Sequence, residues 1–151
     1  MPITIKKISA LETYGVRHPV LRAGRPLEDC GLAEDDLATT FHLGAYDGDR
    51  HVGVATFLIS NAAESPINLP DADSYYQLRG MGVIPDHQGR GIGKQLVKYG
   101  IEKLNDLKVE VLWFNARIKA VPFYESIGFE KIGEAFEVPL IGTHFKMYRE
   151  L

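Results

Sequence analysis

The stretch QLRGMGVIPDHQGRGIGK, residues 77–94, decides how the rest of the chain is read. Its first half is strand-like and stops at Pro85, which cannot donate to a ladder. Its second half carries Gly89, Gly91 and Gly93 and opens a helix over residues 91–106, where Ile92, Leu96, Val97, Ile101 and Leu104 share one face at helical spacing. Glycines let a backbone turn tightly and approach a ligand with no Cβ in the way. The first N–H groups of a helix lack internal partners and, with the helix dipole, attract an anion. Arg90 and Lys94 add positive charge to the turn, so a diphosphate is the expected occupant.

Composition supports that emphasis. Glycine accounts for 15 of 151 residues, above the average of ~7%. Five of them, Gly80, Gly82, Gly89, Gly91 and Gly93, fall within residues 80–93. The hydrophobic share of 45% and charged share of 25% are those of one soluble globular domain, expected over residues 1–151. A formal net charge of -3 gives no global basic footprint for nucleic acid. One cysteine, Cys30, excludes an intramolecular disulfide framework and a Cys-based zinc cluster, and points to the cytoplasm. No stretch approaches the ~20 apolar residues of a membrane span, and no apolar leader opens the chain. His18, His42, His51, His87 and His144 are scattered, with no metal-ligand spacing, so no metal is expected.

Working outward, Ile3, Ile5 and Ile8 suggest a first strand, and residues 9–18 a helix stopped by Pro19. Residues 19–38 read as a loop with room for a short helix. Residues 39–46 and 51–60 read as a hairpin around the Asp47-Gly48 turn. Asn61, Pro66, Asn68 and Pro70 make residues 60–74 a loop. Strands follow at 75–84 and 109–114, then a helix at 120–127 with Pro122 in its first turn and Gly128 after it, then strands at 129–138 and 143–150. The order β-α-β-β-β-α-β-α-β-β predicts a mixed α/β (α+β) sandwich around one sheet, not a doubly wound array.

Three phosphate-binding patterns compete for residues 88–94. A P-loop needs Ser or Thr after Gly-Lys94, and Gln95 stands there. A dinucleotide fingerprint needs a third glycine where Lys94 stands. The remaining pattern, Q-x-x-G-x-G/A, is met by Gln88, Gly91 and Gly93. It resembles the acyl-CoA pyrophosphate loop of the GNAT superfamily of N-acetyltransferases. The stretch NARIKAVPFYESIGF, residues 115–129, is similar to that family's second motif, and the element order matches it along the whole chain.

The resemblance implies a mostly antiparallel sheet of six or seven strands, with a V-shaped splay between the strands at 75–84 and 109–114. It implies backbone bonds to the pantetheine arm at Met81, Gly82 and Val83. The diphosphate would lie on Gln88, Gly89, Arg90, Gly91, Ile92, Gly93 and Lys94, and Asn115 and Arg117 would contact the cofactor beyond it. Tyr124 is the expected donor to the thiolate leaving group. Some family members place a Glu base on the central strand; here that position is Arg79, which cannot act as a base. Arg79 would instead orient a substrate carboxylate or fix a nearby acid. Glu134, Glu137 and His144 are the other base candidates. His42 and the group Arg17, Arg22 and Arg25 are expected to shape the acceptor pocket.

The leading expectation is therefore an acetyl-CoA-dependent N-acetyltransferase acting on a small-molecule or peptide amine. A homodimer is compatible with the family. The competing reading is a non-catalytic acyl-CoA-binding or sensing module of the same fold. Residues 1–74 carry 6 basic and 11 acidic residues, and residues 75–151 carry 11 basic and 9 acidic ones. That split predicts an anionic cofactor on the second half and a cationic acceptor facing the first.

Overall fold

The computed structural model describes residues 2–60 and 69–151; residues 61–68, within the expected 60–74 loop, lie outside them. Along the chain run β1 (Ile3–Ile8), α1 (Ala10–Leu21), β2 (Phe41–Asp47), β3 (Arg50–Leu58), β4 (Tyr75–Val83), α2 (Ile92–Asp106), β5 (Val111–Arg117), α3 (Val121–Ser126), β6 (Glu130–Val138) and β7 (Gly142–Glu150). The strands form one seven-stranded sheet in the order β1-β2-β3-β4-β5-β7-β6. Every neighbouring pair is antiparallel except β4 with β5.

Two boundaries differ from expectation for physical reasons. The first helix starts at a reciprocal capping box between Ser9 and Glu12. It runs through Pro19 to Leu21, because Pro19 lies in the last turn and forfeits a single backbone bond there. Packing holds that turn in place: Val20 Cγ1 would stand 3.0 Å from a Cβ placed on Gly82. The fifth strand starts at Val111 and continues past Phe114 to Arg117. Pairing with β7 extends that far, from Val111 opposite Glu150 to Arg117 opposite His144.

The sheet has a different helix on each face. Leu96, Val97 and Leu104 of α2 share a buried cluster with Leu43, Phe57, Leu78, Leu112, Phe114 and Met147. On the other face α1 inserts Arg17, only 2% exposed, beneath the middle of the sheet. Arg17 makes a two-pronged bond to Asp35, Nη1 to Oδ2 at 2.8 Å and Nη2 to Oδ1 at 3.0 Å. It also donates to the Cys30 carbonyl at 3.0 Å and to Thr56 Oγ1 at 2.7 Å.

Three residue pairs join β4 to β5: Tyr75 with Val111, Tyr76 with Leu112 and Gln77 with Trp113. Beyond Gln77 the strands part. The cause lies on the other edge of β4. There Arg79 pairs with Thr56 and Gly82 with Val54, so β4 holds one residue more than β3 at Gly80-Met81. Such a bulge bends the strand that carries it. Gly80 takes φ +60, and a Cβ there would lie 3.1 Å from Arg17 Nε. Both the backbone angle and the buried guanidinium require glycine at that point.

Candidate active site

The parting of β4 from β5 opens a cavity of about 500 Å³. Its walls are Gln77 to Val83 of β4, Phe114 to Arg117 of β5, Val20 to Arg22 at the end of α1, Gln88, Ala120, Tyr124, and Val138, Ile141 and His144 of the last hairpin. Of the residues singled out from sequence, the cavity brings together Arg79, Met81, Gly82, Val83, Gln88, Asn115, Arg117, Tyr124 and His144. Strand alternation sorts them onto two faces. Tyr76, Leu78, Phe114, Ala116 and Tyr124 belong to the cluster on the α2 face. Gln77, Arg79, Asn115 and Arg117 therefore fall on the α1 face; Arg79 stands opposite Thr56, which Arg17 of α1 bonds.

Tyr124 is 8% exposed, with its ring centroid 4.2 Å from that of Phe114 and 5.0 Å from that of Phe123. Burial pushes its phenol up to about 12, so it keeps its proton at neutral pH. Its hydroxyl rests 3.7 Å from Met81 Sδ. A thioether is a weak acceptor, and a stronger one entering the cavity would displace it.

The turn after β4 is held from both sides. Gln88 Nε2 donates to the Val83 carbonyl at 2.9 Å. His87 Nδ1 meets Asp86 Oδ1 at 2.7 Å, and Nε2 meets Asp47 Oδ2 at 2.8 Å. The Asp47 bond first, then the Asp86 bond, raise the His87 imidazole above its usual range, against burial and Arg90. With a carboxylate on each nitrogen, the protonated ring donates to both, and the contacts favour that form.

Gly89 and Gly91 then adopt φ +76 and +79, and nothing lies within 4 Å of where their Cβ atoms would be. Gly91 caps α2 without a side-chain bond, and the first helical bond runs from Gln95 N–H to the Gly91 carbonyl. The N–H groups of Ile92, Gly93 and Lys94 thus have no acceptor inside the helix. Ile84 N–H donates to the Val52 carbonyl at 2.9 Å. Alternation along the strand therefore turns the Val83 N–H toward the side where β5 has departed. These features fit a diphosphate on the turn and an extended amide-bearing chain along β4. The Lys94 side chain lines a smaller cavity of about 180 Å³ with Lys98, Ser126 and Arg149.

His144 is 7% exposed and stacks on Phe136 at 5.9 Å. Its Nδ1 lies 2.9 Å from the Gly142 carbonyl. A carbonyl only accepts, so Nδ1 donates to it, and Nε2 is the acceptor nitrogen of the matching neutral tautomer. Glu137 is exposed and accepts from Thr143 Oγ1; neither it nor Glu134 lines the cavity.

His42 is placed behind the site rather than in its wall. It is 5% exposed, with Nδ1 2.8 Å from Thr56 Oγ1 and Nε2 3.1 Å from the Asp35 carbonyl. Burial holds its imidazole below the usual range. The acidic residues of the first half that approach the region, Glu34 and Asp35, are also buried. Glu34 Oε1 stands 3.9 Å from Arg79 Nη1, and Asp35 binds Arg17. Among the described residues no carboxylate lines the cavity, contrary to the anionic acceptor side expected from the charge split.

One wall residue, Gln77, carried no signal strong enough to be singled out, and Arg22 was singled out only as one of a group. Gln77 sits where the splay begins, 2% exposed, with Oε1 lacking a hydrogen-bond partner. In sequence it reads as the ordinary polar alternate between Tyr76 and Leu78. Arg22 was grouped with Arg17 and Arg25, but of the three only Arg22 lines the cavity.

Known proteins share both the sequence pattern and the architecture. The model of the acetyltransferase (GNAT) family matches residues 9–129. YitI of Bacillus subtilis (strain 168), described as an uncharacterized N-acetyltransferase, is 36% identical over 152 residues, spanning 99% of this chain and 97% of its own. YlbP of the same organism, described likewise, is 26% identical over 98% of this chain and 89% of its own. Among solved structures, Escherichia coli ElaA superposes with a TM-score of 0.74 at 20% identity, over 99% of this chain and 100% of that one. The ribosomal-protein-S18-alanine N-acetyltransferase of Escherichia coli gives 0.75 at 18%, over 99% and 94%. A glycine turn opening α2, a β4 bent away from β5, and a relative alike from end to end lead to one conclusion: the chain belongs to the acetyltransferase (GNAT) family and is an acetyltransferase.

Proposed function

We propose that this enzyme moves the acetyl group of acetyl-CoA to a primary amine by direct attack, with both substrates bound at once. The observation that carries this reading is the buried, protonated Tyr124 hydroxyl at the splay between β4 and β5, with the Met81 thioether as its partner among the described residues. Acetyl-CoA supplies an activated thioester. The amides of residues 89–94, freed by the left-handed Gly89 and Gly91, hold its diphosphate. The β4 backbone at Met81, Gly82 and Val83 takes the pantetheine arm, with Asn115 across the splay.

The remaining roles belong to side chains around the cavity. The Val83 N–H meets the negative charge that develops on the carbonyl oxygen under attack. Tyr124 protonates the departing thiolate, which a phenol held near pKa 12 in the ground state can do only at short range in a dry site. His144 Nε2 takes the proton that the attacking amine must lose, directly or through water. Cys30, 2% exposed, is absent from the cavity wall, so direct transfer does not use it. A buried free thiol fits a reducing compartment, the cytoplasm. Among the described residues no helix is long and apolar enough to cross a membrane.

Replacing Tyr124 with Phe tests the assignment. It should lower kcat about 100-fold or more while the acetyl-CoA KM changes little. Unaltered kcat would remove Tyr124 from the mechanism.

A further inference from the structure

The transfer uses Val83, Tyr124 and His144; Gln77, in the same wall, has no part in it. Its side chain is buried, and its Oε1 has no hydrogen-bond partner. The register sets it between two buried apolar neighbours, Leu58 on β3 and Trp113 on β5. An unpaired buried amide oxygen costs stability that an apolar side chain of the same length would not. None of the described residues donates to that oxygen, so a donor has to come from the cavity that Gln77 lines. The terminal torsion of a glutamine is soft, and the oxygen can turn to a group that enters.

Position decides which molecule brings the donor. Tyr76 and Leu78 belong to the cluster on the α2 face, so Gln77 between them faces the α1 side. By the same alternation Trp113 and Arg117 share that side, and so does His144, which stands opposite Arg117. Tyr124, the donor to the leaving sulfur, belongs to the α2 face. The diphosphate turn follows the far end of β4, whereas Gln77 sits in the last pair before β4 and β5 part. Gln77 therefore meets the acceptor and not the CoA arm.

A primary amine attacks with its lone pair and carries two N–H bonds. As the C–N bond forms and the C–S bond breaks, one of those protons passes to His144 and the sulfur takes the Tyr124 proton; solvent returns a proton from the histidine to the phenol. The other N–H stays in the amide product. Resting on the transferase reading above, we infer that Gln77 Oε1 receives this retained N–H and thereby selects primary amines over secondary amines and alcohols, which have no N–H left to give.

Calorimetry with two CoA derivatives tests this: CoA alkylated on sulfur with an N-methylacetamide group, which keeps one N–H, and its N,N-dimethyl counterpart, which has none. The wild type should bind the first about tenfold or more tightly. Gln77→Met, which removes the oxygen at similar length, should bring that ratio to about twofold or less, and Gln77→Glu, which keeps an oxygen, should restore most of it. Equal affinities in the wild type, or a preference that survives in Gln77→Met, would overturn the inference. Gln77→Met should unfold at or above the wild-type Tm; a marked fall would show that the amide serves the fold, and would overturn it too. Acetylation rates on a panel of primary amines and their N-methyl derivatives separate the two readings. Primary amines acetylated with no N–H preference between the CoA derivatives would sink the Gln77 assignment and leave the transferase standing. An N–H preference lost in Gln77→Met, with no amine acetylated, would keep the assignment and sink the transferase reading alone.

Discussion

Arg17 shows how much one buried side chain organises. It joins α1 to Asp35, to the Cys30 carbonyl and to Thr56 of β3, and its Nε lies against Gly80 at the bulge that opens the site. Burial pushes the Asp35 carboxyl up, but the Arg17 bond, the Leu32 N–H and the Arg17 charge outweigh it and leave it below the usual carboxylate value. Replacing Arg17 with Met strands Asp35 without its partner. The expected loss is about 3–5 kcal/mol of unfolding free energy by urea titration, and a loss within experimental error would contradict this account of the bulge. The sequence reading grouped Arg17 with Arg22 and Arg25 around the acceptor pocket; its burial beneath the sheet against Asp35 was not legible, because no local signal tells a buried arginine from an exposed one. Tyr124 was legible because it lies inside a motif. Gln77 was not, because a polar alternate on a strand looks the same whether it meets solvent or lines a buried cavity.

At the scale of elements, the segment from β4 to α2 was read correctly since its strand, breaker, glycines and amphipathic helix follow without a gap. The end of α1 and the extent of β5 were misjudged. Local signals put stops at Pro19 and after Phe114, whereas packing on Gly82 and pairing with β7 carry each element on. Two predictions belong here. Gly91→Glu forces a side chain into φ +79 and brings a carboxylate to the diphosphate, while Gly91→Ala carries only the backbone strain. The glutamate variant should bind CoA about tenfold or more weakly than the alanine variant by calorimetry, and equal affinities would refute the loop assignment.

The second concerns His87, which fastens the same turn to Asp47 and Asp86. Its folded pKa is raised above 6.5, so its stabilisation is complete below about that value and is lost as pH rises through the folded one. Asp47 and Asp86 are lowered from 3.8, so their share is present above that value and is lost as acid protonates them. The gap in Tm between wild type and His87→Gln should therefore be widest between about pH 4 and 6.5 and should narrow on the alkaline side. A gap that stays constant from acid to alkaline pH would show that the ring is not an imidazolium.

Across the whole molecule, net charge proved a poor guide to what the site holds. Among the described residues its nearest acids, Glu34 and Asp35, are buried beside Arg79 and Arg17, and neither lines the cavity. Counts along a chain cannot tell which charges folding will bury. The central claim spans the whole molecule as well: one sheet, bent at β4, brings thioester and amine together for a direct transfer. Its most direct test follows an isotope-labelled acetyl group from acetyl-CoA, by mass spectrometry of both protein and acceptor, with and without a panel of primary amines. Direct transfer predicts a labelled N-acetylated amine in step with free CoA thiol, and protein that never gains the acetyl mass. Acetylated protein that later passes its label to the amine, or CoA held tightly with no acceptor labelled, would contradict it.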